Sequence, residues 1–132
     1  MQPMVLAFNV SDDRLGKLRF ACMSQGVQVR NVTAGDFAQP IGALCGLLPR
    51  EEAPGDAEPF EGEMLILCSL NGSKAGNLLS ALKRFRLFFP LKAVATPTNI
   101  HWKAPQLYRE LSAEREAIAN HQKPAHEEEP SC

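Results

Sequence analysis

Met64-Leu65-Ile66-Leu67-Cys68-Ser69-Leu70-Asn71-Gly72-Ser73 lies near the middle of the chain. Five consecutive apolar residues that end in Ser and Asn read as a strand buried on both faces, handing over to a helix. Asn71 or Ser73 supplies the N-cap, and Ala75, Leu78, Leu82 and Phe85 follow at helical spacing. The same arrangement stands 60 positions earlier. Val5-Leu6-Ala7-Phe8 is again continuously apolar, and Asn9 and Val10 lead out of it. Ser11 is a natural N-cap, and Asp12 and Asp13 place negative charge on the first helical turn. Leu15, Leu18 and Cys22 align with Ala75, Leu78 and Leu82, Phe8 with Cys68, and Gly16 with Gly76. Gly26 closes the first helix in a left-handed conformation.

Each helix leads into an alternating strand, Val27 to Val32 in the first half and Leu91 to Ala95 in the second. The loop Thr33-Ala34-Gly35-Asp36 precedes Pro40, which suits a first helical turn. Ile41, Leu44, Cys45 and Leu48 form one face of a short helix that Pro49 stops. In the second half the loop is Thr96-Pro97-Thr98-Asn99, and Pro105 opens a helix with Leu107, Tyr108 and Leu111 that reaches about Ala119. Pro54, Gly55, Pro59, Gly62 and several acids mark residues 50–62 as a flexible linker.

The expected organisation is a first β-α-β-α half over 1–49, an acidic flexible linker over 50–62, a second β-α-β-α half over 63–119 and a disordered tail over 120–132. The fold class is α/β. The two continuously apolar strands belong at the centre of a four-stranded sheet and the two alternating ones at its edges, which gives the order 2-1-3-4 with helices packed on it. Two relative directions of the central strands stay open. Parallel, they make a small doubly wound sheet with one ligand-binding rim; antiparallel, they relate the halves by a pseudo-two-fold axis.

Composition bounds the function. The formal net charge is -1, so net charge singles out no partner. Its distribution is uneven. Between Met64 and Leu111 stand Lys74, Lys83, Arg84, Arg86, Lys92, Lys103 and Arg109 against Glu110 alone, flanked by an acidic stretch from Glu51 to Glu63 and by Glu127, Glu128 and Glu129. No signal-peptide pattern opens the chain, and no apolar run approaches the roughly 20 residues of a membrane span, so a cytoplasmic location and no membrane partner are expected. Cys22, Cys45 and Cys68 sit inside apolar patterns and Cys132 ends a polar tail, without C-x-x-C or metal spacing. They read as small buried hydrophobes, with no disulfides expected in that compartment.

The second half also carries Pro90-Leu91-Lys92-Ala93-Val94-Ala95-Thr96-Pro97-Thr98-Asn99, then Trp102 and Leu107-Tyr108-Arg109-Glu110-Leu111. This run resembles the DUF3783 family, small bacterial proteins of unknown function. Gln39-Pro40-Ile41-Gly42-Ala43-Leu44 is similar to the N-terminal region of longer members. The chain departs from them after Trp102, with Lys103-Ala104-Pro105 where many members carry a Thr helix cap. The resemblance implies a bacterial context and no mechanism.

The candidate chemistry is that of a binding domain. Asn9 and Ser11, Thr33 and Asp36, Ser69, Asn71 and Ser73, and Thr96, Thr98 and Asn99 follow the four strands in turn. In an all-parallel sheet they share one rim beside helix N-termini, which suits a small, possibly anionic, ligand. The Thr96 loop is its sharpest part, because Pro97 stiffens it and Trp102 supplies an aromatic wall. The ligand or protein-partner site is therefore expected at Thr96, Thr98, Asn99, Trp102, Asn9, Ser11, Asp36, Ser69 and Asn71. The alternative is nucleic acid on Lys83, Arg84, Arg86, Lys92 and Lys103, interleaved with Phe88, Phe89 and Trp102. His101, His121 and His126 lack ligand-spaced partners, and no nucleophile elbow, phosphate loop or H-E-x-x-H motif occurs. No catalytic residue, metal or cofactor is assigned, and the enzyme question leans to no. Exposed edge strands make a homodimer a further expectation.

Overall fold

The computed structural model describes residues 3–125, with side chains through residue 118. The first half comprises β1 (Met4–Phe8), α1 (Asp12–Ser24), β2 (Gln28–Val32), a 3-10 turn (Ala34–Asp36) and α2 (Ile41–Leu44). The second comprises β3 (Met64–Cys68), α3 (Gly72–Arg84), β4 (Leu91–Val94), a 3-10 turn (Asn99–His101) and α4 (Ala104–Ala125). The strands form one sheet in the order β2-β1-β3-β4.

Duplication extends to the backbone. Adding 60 to the bounds of β1 and α1 gives those of β3 and α3. The same shift carries Asn9 (φ 62°) to Ser69 (φ 61°) and Gly26 (φ 69°) to Arg86 (φ 58°). Both helices thus end in a left-handed residue, which costs little at Gly26 but strains the non-glycine Arg86. Beyond Leu87 the second half inserts Phe88-Phe89-Pro90, and the shift becomes 63: Gln28 and Leu91 face Met4 and Met64 in their parallel pairs.

The halves meet antiparallel. Met4 faces Cys68, Leu6 faces Ile66 and Phe8 faces Met64, whereas β1–β2 and β3–β4 are parallel. This resolves the open direction of the central strands in favour of a pseudo-two-fold arrangement. One face buries Val5, Ala7, Leu65 and Leu67 under α1 and α3, with Leu15, Leu18, Cys22, Leu78 and Leu82. The other buries Leu6, Phe8, Met64, Ile66 and Cys68 under Ile41 and Leu44 of α2 and Ala104 and Leu107 of α4. Strands covered on both faces need apolar side chains at every position, which is why β1 and β3 read as unbroken apolar runs. Each fully buried Leu, Ile or Phe contributes about 1.5–3 kcal/mol over its exposed state. The axis passes near an isolated antiparallel bridge between Pro40 and Lys103, where the Ile41 N–H donates to the Trp102 carbonyl at 2.8 Å.

Residues 50–62 have no regular structure, yet they are tied down. Phe60 stacks between Phe37 (4.7 Å) and Tyr108 (4.4 Å) and lies 6.0 Å from Phe8. The Asn9 side-chain amide donates to the carbonyls of Phe60 and Gly62. Gln39 exchanges two hydrogen bonds with the Glu51 backbone, and Lys103 donates to the Pro54 carbonyl. A Cβ at Gly62 would collide with the Tyr108 hydroxyl. A single aromatic in a Pro- and Glu-rich stretch thus anchors a segment expected to be a flexible linker. Helix α4 runs on to Ala125, so residues 120–125, expected to be disordered, are helical, and the rest of that tail lies outside the described residues. No helix among the described residues is long and apolar enough to cross a membrane.

Candidate functional site

Antiparallel central strands split the expected rim. The loops that follow β1 and β2 leave at the Phe8 end of the sheet, and those that follow β3 and β4 leave beside Met4. A five-residue strand at ~3.3 Å per residue separates these ends by about 13 Å. Asn9, Ser11 and Asp36 therefore stand apart from Ser69, Asn71, Thr96 and Thr98, and the composite pocket proposed from a parallel sheet does not form.

Most of the polar loop groups serve the backbone. Asn99 is 8% exposed. Its Oδ1 accepts from the Thr96 N–H (2.9 Å), its Nδ2 donates to the Val94 carbonyl (3.0 Å), and its own N–H donates to Thr96 Oγ1 (3.0 Å). Asn71 caps α3, its Oδ1 accepting from the Lys74 N–H at 2.7 Å. Ser11 holds the N-cap position of α1, but its side chain makes no capping bond. Asp36 pairs with Arg50 at 2.8 Å and Arg30 at 3.7 Å. Trp102 packs against the α2–α4 core layer as a half-buried side chain. Ser69 and Thr98 are exposed, with no side-chain bond among the described residues. No buried side-chain nitrogen or oxygen among the described residues lacks a partner, and none of them group as a metal site.

The cations of the alternative reading also divide. Lys83 and Arg84 end α3, where the helix dipole favours positive charge. Arg86 follows them, and Lys92 on β4 donates to the Phe89 carbonyl at 2.9 Å. Lys103 belongs to the opposite face of the sheet, bound to Pro54. Glu58 pairs with Arg109 on that face too, so the acidic segment leaves the α3 cations uncovered.

Several concavities adjoin the second half, and two of them bear on binding. A cleft of about 390 Å³ is lined by Gly62, Glu63, Pro90, Tyr108, Ser112 and Arg115. Its Glu63 is engaged by Arg14 at 2.8 Å. A groove of about 280 Å³ runs between α3 and β4, lined by Leu79, Leu82, Lys83, Leu87, Phe88 and Lys92. Two large apolar side chains of this lining meet water, Leu79 (38% exposed) and Phe88 (66%), and Val94 on β4 is 50% exposed outside the lining.

The groove breaks the internal symmetry. In the first half α1 packs directly on β2, and Arg19 reaches across to donate to the Val29 carbonyl at 3.0 Å. The repeat mate of Arg19 is Leu79, which cannot make that bond, and α3 stands off β4. Phe88 belongs to the three residues inserted only in the second half. Sequence reading missed Leu79 and Val94; the Arg19-to-Leu79 exchange within the repeat was the available signal.

The buried thiols form a separate polar feature. A side-chain hydrogen bond with Cys68 lowers Cys45 from 9.0 to about 7 against the opposing effect of burial, with help from the Arg30 charge. The same pairing, with burial, raises Cys68. Burial alone pushes Cys22 up to about 12.

No curated protein and no solved structure matches the chain significantly. A family model does match, and its span, residues 63–118, contains β3, α3, the groove, β4 and most of α4. The second half of the chain, as its Pro90-to-Asn99 run suggested, is thus similar to the DUF3783 family, a domain of unknown function.

Proposed function

We propose that the chain is a non-catalytic binding module that docks a protein partner on the groove between α3 and β4. The observation that carries this reading is the broken symmetry: one half closes its helix–strand groove with Arg19, and the other leaves Leu79, Phe88 and Val94 in water. Apolar groups gathered in a concave site gain about 25 cal/mol per Å² when a partner covers them. The polar loops offer a small ligand less, because Asn99, Thr96 and Asn71 are bonded internally. Nucleic acid is the second outcome to be tested, since Lys83, Arg84 and Arg86 stand beside the groove.

A photo-crosslinking phenylalanine analogue in place of Phe88 tests the proposal, with the same analogue at Lys17 on α1 as control. A discrete protein adduct from position 88 that disappears with Leu79→Asp is expected. Equal adducts from both positions, or adducts to nucleic acid alone, would sink it.

A further inference from the structure

The groove adjoins a strand edge, and the two together restrict the partner's chemistry. The Ala95 N–H donates to the Leu67 carbonyl at 2.8 Å. In a parallel ladder alternate residues turn their backbone groups to the neighbouring strand. Leu91, Ala93 and Ala95 therefore face β3, and Lys92 and Val94 turn their N–H and C=O outward. The Val94 carbonyl is already taken by Asn99 Nδ2. Among the described residues, what remains for a newcomer is the Val94 N–H and both backbone groups of Lys92.

Side-chain parity points the same way. Lys92 and Val94 pair with Leu65 and Leu67, which belong to the core layer under α3. Their side chains therefore stand on the α3 side of the sheet, beside Leu79 and Phe88. A strand laid along β4 would send every second side chain into that space. The charges exclude some occupants. The groove lining holds Lys83 and Lys92 and no acid. A second copy paired edge to edge would set lysine against lysine, an arrangement that deters self-association.

Resting on the docking role argued above, we infer that the partner contributes an extended segment that joins β4 as a fifth strand. Its apolar side chains fill the space beside Leu79 and Phe88, and Asp or Glu residues in it meet Lys83 and Lys92.

The full chain can be screened against a displayed library of random segments of about twelve residues, twice a typical strand. Enriched segments should alternate apolar with other residues and carry Asp or Glu. Val94→Pro removes the outward N–H without touching a β3 bond and should weaken them about three- to tenfold, one hydrogen bond's worth. Lys83→Glu with Lys92→Glu should shift enrichment toward basic segments. A synthetic peptide of the enriched sequence, N-methylated at alternate residues, blocks pairing without altering the protein. One methylation phase should abolish binding and the other spare it. Segments with helical spacing, lost with Leu79→Asp but not Val94→Pro, would overturn strand addition and leave the docking role standing. Enrichment indifferent to both Leu79→Asp and Phe88→Asp would overturn both. Self-association by sedimentation that Val94→Pro abolishes would name a second copy as the occupant and overturn the acidic segment.

Discussion

Replacing Asn99 with alanine separates a structural turn from a ligand-binding one. The substitution removes the acceptor of the Thr96 N–H and the donor to the Val94 carbonyl, at 2.9 and 3.0 Å. The bond from the Asn99 N–H to Thr96 Oγ1 belongs to the backbone and survives. Each lost bond costs about 1 kcal/mol net, and more where the abandoned group stays out of water. The total is about 2–3 kcal/mol. For a domain of this size that lowers the Tm by roughly 6–12 °C. Thr98→Ala, at an exposed hydroxyl without a partner among the described residues, should stay within about 0.5 kcal/mol. Circular dichroism melts of the two variants beside the parent measure both. An Asn99→Ala Tm within a degree or two of the parent would refute the reasoning, because the amide would then be free for other work.

The remaining predictions concern the joined halves and the thiols. Phe60→Ala removes two ring stacks and should cost about 2 kcal/mol, and it should expose Glu51, Glu52, Glu58 and Glu61 to a glutamate-specific protease; an unchanged cleavage rate would mean that the stacks hold nothing in place. Cross-strand nuclear Overhauser contacts should join Leu6 to Ile66 and Met4 to Cys68, and contacts of Met4 with Met64 would indicate parallel central strands instead. A folded pKa depressed to about 7 makes Cys45 thiolate above that pH, so its alkylation should rise through neutrality while Cys22, pushed up to about 12, stays unreactive; peptide mass mapping that finds Cys22 modified first would contradict the pairing of Cys45 with Cys68.

Much of the fold was legible because burial on both faces leaves a sequence trace. Unbroken runs at Val5–Phe8 and Met64–Cys68 marked the central strands, and the 60-residue shift marked the duplication. The direction in which the halves meet was not legible, since either direction buries the same side chains. That one unknown decided the candidate site: the loops at Asn9 and Thr96 share a rim only if the central strands are parallel. The contacts of segment 50–62 were not legible because composition averages over residues, whereas a single Phe60 joins an aromatic stack. The groove was hidden for a related reason. Helical spacing put Leu78 on the buried face and left Leu79 off it, but it took the packing of α3 to show Leu79 38% exposed beside a groove.

Amide hydrogen exchange along β4, followed residue by residue in the protein without a partner, examines the open edge itself. Ala93 and Ala95, turned to β3, should be protected, while Lys92 and Val94 exchange close to the rate of unstructured amides. Uniform protection of all four would mean that the edge is already covered, leaving no place for a fifth strand.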